Sequence, residues 1–382
     1  MMADSNSRTS FGGNAWKRLR RNTGAVAGML LIVLAVIVSI LAYVLAPDGT
    51  PYANRMMLET SGQKPGFRMH VLALQQDRQI GQVGFFSRLM NGQPDTVSYI
   101  PVRNWHFSGN DIIIARYLDE EETVTERYSL GRVLFAKEVP PGGRLKQWQQ
   151  EIAANRIKER IYWLGTDKFG RDILSRLLVG TRVSLSVGCI AVIISLTIGI
   201  LLGAVAGYFR GVTDDVVMWL VNVIWSVPTL LLVFAITLAL GKGFWQVFIA
   251  VGLTMWVNVA RIIRGQVLAL RELPFIEATR ALGFGHTRTI VKHILPNILG
   301  PVMVVAAGNF ATAIVVEAGL SFLGVGVQPP QPSWGLMIKE NYNFIITHNP
   351  MLALIPGLAI MVMVLAFNLL GNGLRDAMDV RQ

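Results

Sequence analysis

Residues 272–296 read ELPFIEATRALGFGHTRTIVKHILP, a 25-residue polar interruption between two long apolar segments. Within it stand Glu277-Ala278, then Gly283, then Leu295-Pro296. An ordinary connection between membrane helices needs no such ordered pattern, so the stretch reads as a docking element, provided that its flanks lie in a membrane. Composition argues that they do. Hydrophobic residues make up 52% of the chain and charged residues 15%, with a mean hydropathy of +0.45. A soluble domain carries roughly 25% charge, so this is a polytopic membrane protein. A formal charge of +11 would suggest nucleic acid in a soluble chain. Here Lys and Arg collecting in cytoplasmic loops account for it, and no nucleic-acid partner is expected. The lone cysteine, Cys189, leaves no disulfide framework and no CxxC redox or zinc site. It is expected to be a small buried apolar residue.

Six spans are read outward from this stretch. Residues 24–46 hold no charge over 23 positions, about 35 Å of helix against a ~30 Å hydrocarbon core. The run exceeds a signal-peptide core of about 7–15 residues and no A-x-A site follows it, so it reads as a retained first helix. The others are 183–208, 216–240, 244–263, 297–325 and 350–371. Arg8, Lys17, Arg18, Arg20 and Arg21 precede the first span, opposed only by Asp4. Arg261, Arg264, Arg271, Arg280, Arg288 and Lys292 lie between the fourth and fifth, whereas the short turn after the third span offers only Lys242 and the loop before the sixth only Lys339. The positive-inside rule puts both termini and the 261–296 loop in the cytoplasm. The expected division is a cytoplasmic segment 1–23, a first helix 24–46, an extracytoplasmic insert 47–160, a membrane core 161–372 and a cytoplasmic tail 373–382.

The insert is polar and contains β-favouring pieces at 96–102, 110–118 and 123–139. Asn91-Gly92, Ser108-Gly109 and Pro140-Pro141-Gly142-Gly143 separate them. A small β-rich domain is predicted, followed by a helix over 145–160. Within the spans, Gly199, Gly203 and Gly207 recur every four residues, which permits close helix approach; the plainer reading is that glycine is common in membrane helices. Asn222, Asn258, Asn309 and Glu317 are the polar residues in apolar runs. A buried carboxylate must face the bundle interior, a partner or water, and for Glu317 a structural hydrogen bond is favoured over a substrate contact. No catalytic, cofactor or metal site is visible: there is no phosphate loop, H-E-x-x-H or G-x-S-x-G. His70, His106, His286, His293 and His348 show no ligand spacing, and His286 and His293 read as polar surface positions.

Pro274 suits the first turn of a short helix, and Glu277 favours the positive end of its dipole. Phe275, Ala278 and Leu282 at i, i+3 and i+7 form an apolar stripe, and Gly283 and Gly285 can supply a left-handed stop. The product is a short helix parallel to the membrane. Docking and mere surface association are both compatible with it.

The order Glu277-Ala278, Gly283, Leu295-Pro296 resembles the EAA loop of binding-protein-dependent ABC importer permeases. Thr279 and His293 depart from the motif, and the ending His293 to Asn297 is similar to the peptide and nickel subfamily. WLGTDKFGRDILSRLLVGTRVSL (163–185) and EAGLSFLGVGVQPPQPSWG (317–335) resemble segments of the C-type subunit of dipeptide/oligopeptide importers. The resemblance covers roughly 160–382 and the first helix, but not the insert. It implies an all-α permease core of the type I ABC importer (MetI-like) fold, without enzymatic activity of its own, in a bacterial inner membrane. The implied partners are membrane lipid, a second homologous permease, two cytoplasmic ATP-binding subunits and an extracytoplasmic substrate-binding protein. By the same resemblance Phe275, Glu277, Ala278, Arg280, Ala281, Leu282 and Gly283 contact the ATPase. Peptide is favoured over nickel or another small solute, because no His or carboxylate cluster marks a metal path. The insert is expected to touch the binding protein or cover the outer mouth. The rival readings are an ion-coupled secondary transporter, which would need charges near the midplane, and a membrane-anchored binding protein.

Overall fold

The computed structural model describes residues 11–77, 81, 83–119, 121–241, 243–346 and 349–378. Asp4, Arg8, Lys242, His348 and the tail beyond Met378 lie outside the described residues. The helices, in chain order, begin with α1 (Phe11–Arg21), α2 (Thr23–Leu45), α3 (Phe85–Asn91), α4 (Leu130–Phe135) and α5 (Leu145–Glu151). Then come α6 (Ile173–Phe209), α7 (Gly211–Trp225), α8 (Thr229–Leu240), α9 (Phe244–Arg271) and α10 (Pro274–Ala281). The last four are α11 (His286–Thr289), α12 (Leu299–Leu323), α13 (Trp334–Asn341) and α14 (Met351–Met378). Among the described residues five strands form between α2 and α6: β1 (Phe67–Gln75), β2 (Val97–Ser108), β3 (Asp111–Tyr117), β4 (Thr123–Ser129) and β5 (Ile157–Tyr162).

Among the described residues, five helical stretches are long and apolar enough to cross a membrane, and six if the bent pair α7–α8 is one span. The third span differs from the sequence reading. In place of one helix over 216–240, α7 and α8 meet at 91°. Proline disfavours a helical residue before it and cannot donate a hydrogen bond, and Pro228 itself leaves the helix with a ψ of 127°. The second span begins ten residues earlier than expected, because the Asp172 carboxylate accepts from the Ser175 amide at 2.8 Å and caps α6. The fourth and sixth spans are likewise longer, 28 residues each. The fifth is preceded by unbroken helical backbone from His286. Pro296 deprives the residue 292 carbonyl of a donor, and the chain passes the proline through a π turn (Ile290–Ile294) and a 3₁₀ turn (Leu295–Ile298). Asn297 Nδ2 donates to the His293 carbonyl at 2.6 Å across this bend.

The chain divides into two compact units. One comprises 38–183 and 329–357. Its sheet has the order β4-β3-β2-β1-β5, antiparallel throughout. One face is covered by Leu130, Val133 and Leu134 of α4 and by Ile152, against Leu72, Ile100, Val102, Ile112 and Ile114. The sequence reading of 123–139 as strand holds only to Ser129, whose hydroxyl accepts from the Arg132 amide and starts α4. The helix expected over 145–160 ends in a π turn at Arg156, and 157–162 pairs with β1 instead. In the same unit Asp167, Arg171 and Arg176 are all but fully buried with Glu340 of α13. Arg171 Nε donates to Asp167 at 2.6 Å and its Nη2 to Glu340 at 2.6 Å, while Arg176 Nη2 donates to Glu340 at 3.2 Å. Two cations and two carboxylates thus compensate each other, which such burial demands.

The other unit comprises 1–37, 184–328 and 358–382. Here α2 lies against α14: a Cβ on Gly28 would stand 2.5 Å from the Ala366 carbonyl oxygen. The glycines of α6 face α9, where a Cβ on Gly199, Gly203 or Gly207 would meet α9 atoms at 2.4–2.8 Å. Cys189 corrects the expectation of burial. It is exposed, because α6 turns Val187, Gly188 and Ala191 inward and Cys189 to the other side.

Candidate coupling surface

Helix α10 is built as its sequence dictates. Pro274 occupies the first turn. At the other end the Gly283 amide donates to the Arg280 carbonyl (2.9 Å) and the Phe284 amide to the Thr279 carbonyl (3.0 Å). Together with Gly283 at φ 75°, this is a Schellman stop. Gly285 does not contribute to it: its φ is −64°, and it precedes α11.

The apolar stripe read as a docking face is left uncovered, and the residues on the other side anchor the helix. Ile276 (0%) and Thr279 (5%) are its buried residues. Ile276 enters a cluster with Tyr208, Val267, Ile294 and Ile298, and Thr279 Oγ1 bonds the Ile276 carbonyl at 2.7 Å and lies 3.5 Å from Thr289 Oγ1. Phe275 is 43% exposed and Leu282 72%, so the i, i+3, i+7 stripe points outward. Glu277, Ala278, Arg280, Ala281 and Gly283 are also exposed. Helical spacing identifies a face; only the surrounding helices decide which face they cover.

Tyr208, which no sequence pattern singles out, organises the seat. It is 3% exposed at the end of α6. Its hydroxyl is hydrogen-bonded to His286 Nδ1 at 3.0 Å and its carbonyl accepts from Arg271 Nη1 at 2.7 Å. The Arg280 guanidinium lies 5.6 Å from its ring centre. His286 is exposed, as its reading as a polar surface position expected, and is bonded to Tyr208 as well. His293 stacks on Phe284 with centroids 5.6 Å apart, and Arg288 lies 4.0 Å from the other ring's centre. Arg210 of the α6–α7 turn pairs with Glu272. The arrangement is a short rigid helix locked to the ends of α6, α9 and the Pro296 bend, with a mixed apolar and charged face left uncovered.

Three of the four remaining polar positions make local bonds. Glu317 is fully buried, and its Oε1 accepts from Ser321 Oγ at 2.6 Å, which in turn accepts from the Val327 amide at 3.1 Å. Asn309 Nδ2 donates to Ser195 Oγ at 3.3 Å. Asn222 Oδ1 accepts from Arg261 Nη2 at 3.1 Å, and Asn258 is exposed. None of the four lies in the α10 seat.

The long apolar helices define a polytopic integral membrane protein. Residues 199–382 match the family described as binding-protein-dependent transport system inner membrane component. Residues 10–61 match the N-terminal transmembrane domain of oligopeptide transport permease C. The chain is 41% identical over 218 residues to the glutathione transport system permease protein GsiD of Pectobacterium atrosepticum, covering 57% of this chain and 72% of that protein. It is 39% identical over 228 residues to the oligopeptide transport system permease protein OppC of Bacillus subtilis, covering 60% and 74%. To the dipeptide transport system permease protein DppC of Alkalihalophilus pseudofirmus it is 42% identical over 218 residues, covering 57% and 71%. The chain belongs to the family of binding-protein-dependent transport system inner membrane components. It is thus a membrane permease component of an ABC transporter, and membership implies partner ATPase and substrate-binding subunits. Among solved structures it is similar to an inward-facing methionine ABC transporter, MetNI, with a TM-score of 0.44 and 20% identity over 53% of this chain and 96% of that one.

Proposed function

We propose that this chain is the permease subunit of an ATP-driven importer for peptides, with both termini in the cytoplasm. It lines the pathway together with a second, related permease, two ATPase subunits seat on the cytoplasmic side, and a binding protein delivers peptide outside. Relatives named for glutathione, oligopeptides and dipeptides support the substrate class. The permease itself hydrolyses nothing.

The observation that carries the coupling role is the uncovered face of α10, with Phe275, Glu277, Ala278, Arg280, Ala281, Leu282 and Gly283 exposed on an element whose other face is locked by Ile276 and Thr279. A large apolar side chain such as Leu282 facing outward beside charges is a partner-binding composition. Closure of the ATPase pair pushes α10, and its fixed seat transmits the displacement to α6, α9 and α12. That swings the bundle between inward-open and outward-open. The test uses Glu277→Ala and Gly283→Leu in the assembled transporter. ATP hydrolysis continues without uptake, and membrane insertion is unchanged; unchanged uptake in both variants overturns the assignment.

A further inference from the structure

Helix α3 carries apolar side chains that the protein leaves uncovered: Phe85 is 70% exposed, Phe86 80% and Met90 60%. At 100° per residue Phe85, Leu89, Phe86 and Met90 fall within an arc of about 140°, and Ser87, Asn91 and Arg88 fill the remainder. The helix is amphipathic and uncovered on both sides, with only Leu89 partly covered.

Arg182 fixes where this helix lies. Its Nη1 donates to the Met90 carbonyl (2.7 Å) and its Nη2 to the Leu89 carbonyl (3.1 Å), both in the last turn of α3. The same guanidinium donates from Nε to the Ser39 carbonyl (2.9 Å) and from Nη2 to the Ile40 carbonyl (3.0 Å) of α2. It also lies 5.2 Å from the Tyr43 ring centre. Ser39 precedes the end of α2 by six residues, about 9 Å along the axis. The last turn of α3 is therefore level with the interior of a membrane span, not with the polar chain beyond it. A second tie holds the exit, where the Gln93 amide donates to the Gly49 carbonyl at 2.8 Å. Gly92, at φ +75°, approaches Gly49 so closely that a Cβ would stand 2.7 Å from its oxygen.

Beside it α2 exposes Ile40 (54%), Leu41 (37%), Val44 (60%) and Leu45 (50%). The apolar arc of α3 continues the surface that a membrane span turns toward lipid. We propose that α3 is an interfacial helix of the bilayer, its Phe85, Phe86 and Met90 among the acyl chains and Arg88 reaching the headgroups. Such a helix lies in the membrane plane with its apolar face sunk about 5–10 Å below the headgroup boundary. Arg182 tolerates this depth because four carbonyls and an aromatic ring satisfy its guanidinium. Through α3 the β-sheet unit is attached to the membrane at a point of its own, besides the spans from which it emerges.

The single cysteine makes the test clean. In a Cys189→Ser background, cysteines at Phe86, Arg88 and Met90 receive a nitroxide label, and the complete transporter is reconstituted in phosphatidylethanolamine–phosphatidylglycerol nanodiscs. Collision with oxygen, which partitions into acyl chains, is compared with collision with a water-soluble nickel chelate. The oxygen-to-nickel ratio is several-fold higher at Phe86→Cys and Met90→Cys than at Arg88→Cys if α3 lies in lipid. A uniformly nickel-accessible helix overturns the proposal in favour of a solvated one. Suppression of both collisions at Phe86→Cys and Met90→Cys overturns it in favour of a protein-covered face.

Discussion

Gly199, Gly203 and Gly207 set the distance between α6 and α9. At Gly203 even one methyl group would stand 2.5 Å from the Ala260 carbonyl oxygen, a backbone atom that has nowhere to go. Gly203→Ala therefore forces the two helices apart and lowers stability by about 1–3 kcal/mol, the usual cost of overpacking. Gly308→Ala, in a helix where the added methyl meets nothing within 4 Å, is its control. Thermal unfolding of the detergent-purified chain separates the two; equal midpoints contradict the packing account. Gly283 is constrained differently. Nothing crowds it, but its φ of +75° makes Gly283→Ala cost about 1–2 kcal/mol, which appears as faster amide exchange at 279–284. The four-residue glycine spacing was legible because helix faces repeat in sequence. That α9 was the partner was not, since nothing local to α6 encodes it.

Elements were legible where one signal dominated. The apolar runs of α2 and α14 announced themselves, and Pro274 and Gly283 bracketed α10. Three elements were misread for definable reasons. Hydropathy runs straight across Pro228, so the 91° break between α7 and α8 was hidden by an apolar average although the breaking residue stood in view. The 123–139 segment is β-favouring throughout, yet Ser129 caps a helix at its middle. Strand β5 was absorbed into the preceding helix because only β1, some ninety residues earlier, gives it a partner. The anchoring face of α10 was not legible, because Phe275-Ala278-Leu282 and Ile276-Thr279 are both consistent with helical spacing. The anchoring is testable. Ile276→Ala removes a fully buried side chain and destabilises the α10 seat by about 2–5 kcal/mol, whereas Leu282→Ala, at a 72% exposed position, stays within about 0.5 kcal/mol. Hydrogen exchange of the Tyr208–Ile298 cluster reads the difference, and equal protection in the two variants contradicts the anchoring.

For the whole molecule, the family matches cover 10–61 and 199–382, leaving the β-sheet and its supports to be read from structure alone. Sequence gave no hint that residues near 170 and near 340 share a buried charge network. Only α13 brings Glu340 to Asp167, Arg171 and Arg176. Glu340→Gln leaves two buried guanidiniums facing one carboxylate and destabilises the β-sheet unit by about 3–5 kcal/mol. A variant that melts with the parent protein contradicts that role. The central claim concerns the other unit and is reached most directly by cross-linking. In a Cys189→Ser background, Ala278→Cys carries a short thiol-reactive photo-cross-linker in the assembled transporter. The account predicts a covalent adduct with an ATPase subunit that Thr312→Cys, exposed on α12, does not form. An Ala278→Cys label that captures only lipid or water, in a complex that still transports, would contradict it.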